Sequence, residues 1–305
     1  MSTPRFLWLG AILFGLNLLI FFLRKHGFDY KDFANRDQLQ TPANSFPKSF
    51  EFSSKQLIRA QKLLNDSLRL DTLVSERDKL LAIDHFLYRS LCSNHAIGPM
   101  KQPFSDPFSL FENLRNEKSW AFQCGEAAYL QAYFCAAAGM KTRLVQHLQK
   151  PATDLPPDSH VYNEVWLTEK NQWVVSDFFQ NRHLLEKDGR YLSAADLLDA
   201  CLKSTDTIFT VYRSDTAKLT ASTRSIVDPY FSKNYYLAFF RETNPAIVYS
   251  WKNKGRHYLL DYSHFQVYDP MGPRSNFKHR IKQVVFFGWL LWLVIFAVKR
   301  VNKIA

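Results

Sequence analysis

Two long apolar runs stand near opposite ends of this 305-residue chain and bracket a largely polar middle. The first covers Phe6–Leu23 and the second covers Val284–Val298. As a helix, each run is about the length needed to cross the ~30 Å hydrocarbon core of a membrane. Basic residues border both runs, and tryptophans occur where they can lie near the interfaces. The sequence therefore predicts two transmembrane helices, in segments 1–25 and 278–305.

The two alternatives to this membrane topology are a cleaved signal peptide for the first run and a buried core helix for the second. A cleaved signal peptide is disfavoured because the first run is long and residues 23–26 offer no small-residue cleavage site. A buried core helix is disfavoured for the second run because residues 278–282 are mostly basic. Two spans place both ends on one side, and the Lys and Arg counts on the two flanks do not decide which side. Long loops translocate largely regardless of charge, so we expect an extracytoplasmic main domain in a two-span membrane protein.

Charge and cysteine content exclude several classes of function. The net charge is +11, but the basic residues are dispersed and no nucleic-acid-binding motif occurs, so nucleic acid is not an expected partner. No Cys-x-x-Cys pair is present, which disfavours zinc ribbons and thioredoxin-like motifs. Cys124 and Cys135 would lie ~16 Å apart on one helix, too far for a disulfide. Cys92 and Cys201 remain free to pair with each other or with Cys135, and no cofactor is expected.

Hydrophobic periodicity divides the middle of the chain into regions. Residues 26–52 are polar and lack a sustained period, which is typical of a tether. A main domain is expected over 53–206, followed by a β-rich extension over 207–277 that either extends the first sheet or forms a small subdomain. The pattern predicts helices from Ser53, with Ser54 as its cap, at Glu76–Cys92, at 107–114, at Cys124–Gly139 and at 194–202. It predicts strands at Thr142–Leu148, His160–Leu167, Trp173–Phe178, Thr207–Tyr212, Tyr235–Phe240, Ile247–Trp251 and His257–Asp261.

Three residues carry the chemistry that this arrangement favours. Cys124 opens a helix rich in small residues, and a helix N-terminus favours a thiolate and offers N–H groups to an oxyanion. His160 begins one predicted strand and Asp177 ends the next, so an imidazole and a carboxylate are available as base and orienting group. If Glu169 and Lys170 form the turn, His160 and Asp177 lie diagonally on one face, at ~7–8 Å between backbones.

Four motifs occur in a fixed order along the chain: Cys124–Ala128 (CGEAA), Ala138–Val145 (AGMKTRLV), His160–Trp166 (HVYNEVW) and Trp173–Asp177 (WVVSD). In this order the chain resembles the transglutaminase-like superfamily, whose core folds as papain-type cysteine proteases do. The resemblance covers roughly residues 76–182. It implies an α+β fold in which a core helix packs on an antiparallel sheet, here flanked by two transmembrane helices.

The resemblance also implies roles for particular residues. Cys124 is the expected nucleophile, His160 the general base and acid, and Asp177 the orienting carboxylate. Trp120 and Gln123 are candidates for a further oxyanion donor. The sequence departs from the family at Gln123, where many relatives have a small residue, and at position 162, where a tyrosine replaces a frequent tryptophan.

Other polar and aromatic residues receive structural interpretations. Arg143 and Glu164 are interpreted as an ion pair or strand-edge residues rather than as a substrate clamp. His147 and His183 lack metal-ligand spacing, so no metal site is expected. The aromatic residues of 235–240 are interpreted as part of a buried strand rather than as a groove for glycan or peptide.

The expected function is that of a membrane-anchored thiol enzyme that acts on amide or ester carbonyls through an acyl-thioester. Water as the acceptor would make it a peptidase or amidase, and an amine would make it a transamidase. The expected substrate is a protein, a peptide or a component of the cell envelope. The alternative is a non-catalytic membrane scaffold that keeps the fold and binds peptide or glycan during envelope or polysaccharide assembly.

Overall fold

The chain combines helices and a predominantly antiparallel sheet in an α+β architecture. The computed structural model describes residues 3–23, 32–40, 52–92, 106–117, 121–150, 159–203, 208–213, 219–223, 230–240, 265–272 and 277–302. Within them the α-helices are α1 Thr3–Phe22, α2 Arg36–Leu39, α3 Ser54–Leu68, α4 Glu76–Leu87, α5 Pro107–Asn116, α6 Cys124–Ala137, α7 Ala194–Lys203 and α8 Phe277–Val301. The strands are β1 Asp32–Phe33, β2 Thr142–Gln149, β3 Val161–Leu167, β4 Gln172–Asp177, β5 Arg182–Lys187, β6 Arg190–Tyr191, β7 Ile208–Tyr212, β8 Leu219–Thr223, β9 Tyr235–Phe240 and β10 Phe265–Tyr268.

All ten described strands belong to one sheet, in the order β1-β10-β9-β2-β3-β4-β5-β7-β8, with β6 paired to β5. Every pairing is antiparallel except that between β1 and β10. The strands within 207–277 therefore extend the first sheet rather than forming a subdomain with a sheet of its own. The strands expected at Ile247–Trp251 and His257–Asp261 lie outside the described residues.

Each face of the sheet supports its own hydrophobic core. Helices α3 to α6 cover one face, where Phe111, Leu130 and Phe134 pack with Val165 and Val174 of the central strands. Helix α7 covers the other face in a second core that contains residues from β2, β3, β4 and β9. Because side chains alternate along a strand, neighbouring residues of β3 and β4 enter different cores.

Helix α6 lies in the middle of the first core, as its small residues predict. Ala127, Ala128, Ala132 and Cys135 are buried, which lets the helix lie close to β3. The helix ends just before Gly139, whose φ of +79° is accessible to glycine at little cost. The next residues turn directly into β2, so the sheet begins immediately after the core helix.

The turn between β3 and β4 sets the register that positions the candidate site. A 3₁₀ turn at Thr168–Lys170 is closed by Asn171 in the left-handed region, with φ of 52°. The turn is longer than the predicted two-residue turn, but it keeps the same centre, so Trp166 pairs with Trp173 and Asn163 with Ser176. The predicted register of these two strands is therefore confirmed.

Part of the expected tether is built into the domain. Asp32–Phe33 forms β1, which pairs with β10, and α2 follows it. Leu39 of α2 is fully buried, and its carbonyl accepts a hydrogen bond from Arg143 Nη1 at 2.8 Å. Residues 32–40 of the predicted tether over 26–52 therefore pack against the domain. Its polar composition hid the single buried leucine that fastens the segment.

The cap of α3 differs by one residue from the prediction. Ser53, and not Ser54, is the N-cap: its side chain accepts from Gln56 N, and the Gln56 side chain accepts from Ser53 N at 2.9 Å. This reciprocal arrangement is a capping box, and the Ser-x-x-Gln spacing specifies it. Ser54 is the first residue inside the helix.

The two terminal helices, α1 and α8, are long and apolar enough to cross a membrane. Only 11% and 6% of their apolar windows are buried, unlike the core helix of a soluble protein. They pack against each other in antiparallel fashion: Trp292 Nε1 donates to Phe6 O at 2.8 Å, and Asn17 lies near Val285. A Cβ on Gly10 would lie 2.2 Å from the Trp292 ring, so glycine makes this close approach possible.

Candidate active site

Cys124 is the first residue of α6 and is half-buried. The turn that begins the helix is fixed by Gln123, whose N–H donates to Glu126 Oε2 at 2.9 Å and whose carbonyl accepts from Ala127 N at 3.0 Å. A Cβ on Gly125 would meet no atom within 4 Å, so there is open space beside Gly125, the residue that follows Cys124. The sulfur lies at the positive end of a largely buried helix.

His160 and Asp177 form a direct pair across the neighbouring strands. His160 Nε2 lies 2.5 Å from Asp177 Oδ2, and both side chains are less than 10% exposed. The second carboxylate oxygen of Asp177 accepts from Gln180 N at 3.2 Å. Both oxygens thus have partners, and the imidazole is held in one orientation.

The thiol of Cys124 is also a hydrogen-bond partner of the His160 imidazole. Because Nε2 faces Asp177, Nδ1 is the nitrogen left for the thiol. Burial lowers the pKa of His160, but the Asp177 carboxylate and then Cys124 outweigh it and raise this pKa to about 10. The structure thus joins all three predicted residues, and it favours a protonated imidazole between a carboxylate and a thiol.

Aromatic rings surround the imidazole of His160. The Tyr162 and Tyr230 rings stack on it, with centroids at 5.7 and 5.1 Å. The Tyr162 hydroxyl lies 3.1 Å from His147 Nε2, and His147 Nδ1 lies 2.9 Å from the Tyr230 carbonyl. Burial, followed by the charge of His160, lowers the pKa of His147 to about 3. His147 is therefore a neutral structural residue that holds the two tyrosines in place.

A second polar cluster lies on the face of β4 that is covered by α4 and α6. Asp84 Oδ2 lies 2.8 Å from His183 Nδ1 and accepts from Ser176 Oγ, while Asp84 Oδ1 accepts from Gln131 Nε2 at 2.6 Å. Asn163 Nδ2 donates to Gln131 Oε1 at 2.9 Å and to the Ala128 carbonyl at 2.7 Å. The cluster ties the core helix to β3, β4 and β5 directly behind the candidate site.

Arg143 and Glu164 form a fully buried ion pair, with Arg143 Nε 2.5 Å from Glu164 Oε2. The guanidinium lies over the Trp173 and Phe239 rings, at 4.3 and 4.6 Å. The other Glu164 oxygen accepts from Ala194 N, the first helical residue of α7, at 2.6 Å. The structural interpretation of both residues is confirmed. Phe239 and its neighbours Tyr235 and Tyr236 are buried in β9, as expected.

The three remaining cysteines are buried or half-buried. All four cysteines are free thiols, so none of the disulfide pairings left open by the sequence is present. Burial, followed by the charge of Asp177, raises the pKa of Cys92 to about 12, and burial raises that of Cys135 well above its usual value. Among the described residues no cluster of three His, Cys, Asp or Glu side chains could hold a metal ion.

Of the two candidate oxyanion donors, one lies within the described residues. Gln123 lies at the N-cap of α6, next to Cys124, while Trp120 lies outside the described residues. Sequence patterns missed Tyr230 and the Asp84–His183 pair. Tyr230 is 70 positions from His160 and follows no motif, so no local signal pointed to it. Asp84 lies on the buried stripe of α4, between Ile83 and Leu87, and an acidic residue in such a stripe was an available signal.

Comparison with known proteins gives little further guidance. No family model matches the sequence, and no curated protein sequence matches it either. One crystal structure, described as "a Putative Cysteine Protease from Cytophaga hutchinsonii", matches with 20% sequence identity and a TM-score of 0.32. The match covers 49% of this chain and 49% of that chain, so this chain aligns with about half of its length.

Proposed function

We propose that the protein is a membrane-anchored thiol enzyme of transglutaminase-like type that acts on amide or ester carbonyls. The observation that carries the proposal is the hydrogen-bonded series Cys124, His160 and Asp177 at the N-terminus of a buried helix. A nucleophile, a base within hydrogen-bonding reach and an orienting group are the parts that covalent acyl transfer requires. We assign the catalytic domain to 53–206 together with the docked segment 32–40 and the strands of 207–277 that join that segment to the sheet.

In this mechanism the Cys124 thiolate attacks the carbonyl carbon, a C–S bond forms, and the carbonyl oxygen takes the negative charge. Backbone N–H groups at the start of α6 face that oxygen, with Gln123 as a further donor. His160 then gives its Nδ1 proton to the leaving amine or alcohol as the C–N or C–O bond breaks. Water or an amine attacks the thioester and His160 takes the incoming proton. The C–S bond then breaks, which releases the acid or amide product and restores the thiolate.

Asp177 and the two tyrosines support this cycle. The carboxylate holds the imidazole through Nε2 and stabilises its charged form, which keeps a proton available for the leaving group. Tyr162 and Tyr230 cover the ring, so water has limited access to the His160–Asp177 hydrogen bond. A hydrogen bond shielded from water is electrostatically stronger.

We further propose that α1 and α8 both cross the membrane as a packed hairpin and that the catalytic domain is extracytoplasmic. The hydrogen bond between Trp292 and Phe6 and the close contact at Gly10 support a paired arrangement. The expected substrates are therefore proteins, peptides or envelope components close to a membrane surface. A reporter fused after Ala305 and another inserted near Asn35 should report opposite sides, and reports from the same side would contradict two spans.

Thiol alkylation tests the proposed chemistry without a known substrate. Iodoacetamide is added to the detergent-solubilised full chain, and mass spectrometry gives the alkylation rate at each cysteine. We expect Cys124 to react much faster than Cys92 and Cys135, whose raised pKa values disfavour the thiolate. The His160→Ala variant should lose most of this advantage, because the thiolate then lacks the imidazolium that stabilises it.

The three other cysteines are internal references, and Cys124→Ala identifies the reactive peptide. Fast alkylation of Cys124 that His160→Ala leaves unchanged would show an exposed thiol with no activation. That outcome would sink the enzyme proposal in favour of a non-catalytic scaffold that binds peptide or glycan through the same fold.

A further inference from the structure

Arg182 lies beside the His160–Asp177 pair, at the start of β5. In the register of β4 and β5 it is the direct partner of Asp177, so the two side chains lie on the same face of the sheet. The Asp177 oxygens are already bonded, one to His160 and the other to Gln180 N. Arg182 therefore faces a carboxylate that is committed to other partners.

The guanidinium of Arg182 has no hydrogen bond or ion pair with any residue in the described part of the chain, although it is half-buried. It lines a small cavity together with His160, Asp177, Tyr230 and Phe231. Burial lowers the pKa of Arg182, and the nearby charge of Asp177 opposes that effect. Arginine is rarely buried without a partner, because removing a charge from water is costly unless it is compensated. Among the described residues, the counter-charge beside this cation is Asp177, whose oxygens are hydrogen-bonded to other groups.

The charged residues in and near the cavity favour one class of anion. A guanidinium offers donors in a planar fork that fits a carboxylate with two parallel hydrogen bonds. Arg213 lies close enough for its charge to lower the pKa of Arg182 as well, so the positive potential here comes from two groups. The negative charge of Asp177 disfavours a dianion such as phosphate. A monoanionic carboxylate therefore fits the two arginines better than a dianion does.

We propose that Arg182 is a specificity-determining residue that binds a carboxylate of the substrate, so that the enzyme prefers acyl donors with an acidic group near the scissile bond. This inference rests on the proposed function of Cys124. The cavity is lined by the imidazole and the Asp177 carboxylate, and Cys124 is not among its lining residues. The carboxylate of the substrate therefore lies some distance from the reacting carbonyl. Each extended residue between the two groups spans ~3.3–3.6 Å.

A series of matched alkylating probes of increasing length tests both the preference for a carboxylate and its distance from the reacting group. The acid probes are iodoacetate, N-iodoacetylglycine and N-iodoacetylglycylglycine, and each has a neutral amide counterpart of the same length. In every case the sulfur of Cys124 displaces iodide and forms a C–S bond. The measured quantity is the ratio of the acid rate to the amide rate at each length, which cancels changes in thiol reactivity common to both probes.

We expect this ratio to fall about tenfold in Arg182→Gln at the best-fitting length, since a charge-assisted bidentate contact of this kind is worth about one factor of ten. Arg182→Lys should give an intermediate ratio, because an ammonium keeps the charge but not the fork. Arg190→Gln removes one exposed positive charge from neighbouring β6 and should leave the ratio at the wild-type value.

The outcomes separate this inference from the proposed function. Equal ratios in wild type, Arg182→Gln and Arg182→Lys at all three lengths would overturn the carboxylate site, even if the amide probes react in a His160-dependent manner. Equal losses in Arg190→Gln and Arg182→Gln would also overturn it, since general charge and not a specific contact would then be responsible. Amide probes that react independently of His160 would instead overturn the enzyme itself.

Discussion

Two histidine–aspartate pairs lie close together in this protein, and their surroundings differ. His160–Asp177 has a thiol as its third partner, and Cys124, which carries that thiol, is only half-buried. His183–Asp84 is at most 1% exposed, and its further partners are a serine and an amide. A histidine–aspartate pair is therefore not an indicator of catalysis by itself. Access and a nucleophile distinguish the proposed catalytic pair from the structural one.

Side chains alternate between the two faces of β4, which explains how the two histidine–aspartate pairs can be neighbours and remain separate. Ser176 and Asp177 are consecutive, so their side chains lie on opposite faces of the strand. Ser176 bonds to Asp84 under α4 and α6, whereas Asp177 bonds to His160 on the face that α7 covers. One strand thus carries a structural brace on one face and the proposed orienting carboxylate on the other.

The largest expected effect is on reactivity at the site. His160→Ala should lower the alkylation rate of Cys124 by about 10²–10⁴-fold, the usual contribution of a positioned base. The rate is measured with iodoacetamide by mass spectrometry of the Cys124 peptide. The matched control is His183→Gln, a change in the buried pair, which should leave the rate in the folded fraction within a few-fold of wild type. Equal losses in both variants would erase the distinction between the pairs.

The next effect is on stability, and it should appear at the buried pair. Asp84→Ala removes the acceptor of three buried partners, and breaking a buried pair in this way costs about 3–5 kcal/mol. For a domain of this size that corresponds to a fall in Tm of about 6–20 °C. Thermal unfolding followed by circular dichroism measures it in the detergent-solubilised chain.

Asp177→Ala is the matched comparison for that loss of stability, because its pair is slightly less buried than His183–Asp84. Its Tm should fall by less than that of Asp84→Ala. A larger fall in Asp177→Ala would place the main structural role at the candidate site and reverse the assignment of the two pairs.

Sequence patterns found the proposed catalytic pair because it lies within motifs that have local signatures. Cys124 opens a helix of small residues, and His160 and Asp177 lie at fixed distances from a turn whose centre could be read at Glu169 and Lys170. The register of two strands follows from such a turn, so the contact between the strands was predictable. The structural pair has no such signature, since Asp84 and His183 come from elements 99 positions apart.

Long-range packing accounts for the rest of what the sequence did not reveal. The sequence predicts a tether at residues 32–40, because the docking of this segment depends on a core that Leu39 enters and that segments far along the chain build. Tyr230 and Arg182 reach His160 and Asp177 only after β5 and β9 join the sheet. Each of these contacts depends on strand order, which periodicity along a single segment does not encode.

A smaller effect concerns the protonation of His160. Its pKa is raised from 6.5 to about 10, so the imidazole should remain protonated at neutral pH. Asp177→Asn should bring the pKa down by about 1–3 units, the usual effect of removing an adjacent opposite charge. NMR of histidine-labelled protein measures the titration, with His160→Gln to assign the signal. Asp84→Asn should leave the pKa of His160 unchanged. A fall in that pKa as large as the one in Asp177→Asn would mean that the two pairs titrate together.

The same pKa sets the sign of a pH effect on stability. A group whose pKa is higher in the folded state stabilises the fold fully below its unfolded value and loses that contribution as the pH passes the folded value. The His160–Asp177 pair should therefore stabilise the protein fully below pH 6.5, with the contribution lost as the pH rises through about 10. The Tm difference between wild type and Asp177→Asn should narrow over that range. A constant difference would contradict a charged imidazole.

The smallest expected effect tests whether the two pairs communicate through β4. Ser176→Ala removes the hydrogen bond that Ser176 donates to Asp84 and the one that it accepts from Gln131 Nε2, while leaving Asp84 bonded to His183 and Gln131. The cost should be about 1–3 kcal/mol of stability, the usual penalty at a buried site that keeps other partners. Because Asp177 is the next residue, a strand that moved would also move the carboxylate away from His160. We expect the iodoacetamide rate of Cys124 to stay at the wild-type value while Tm falls. A parallel fall in that rate would show that the buried cluster positions the proposed catalytic pair and is not an independent brace.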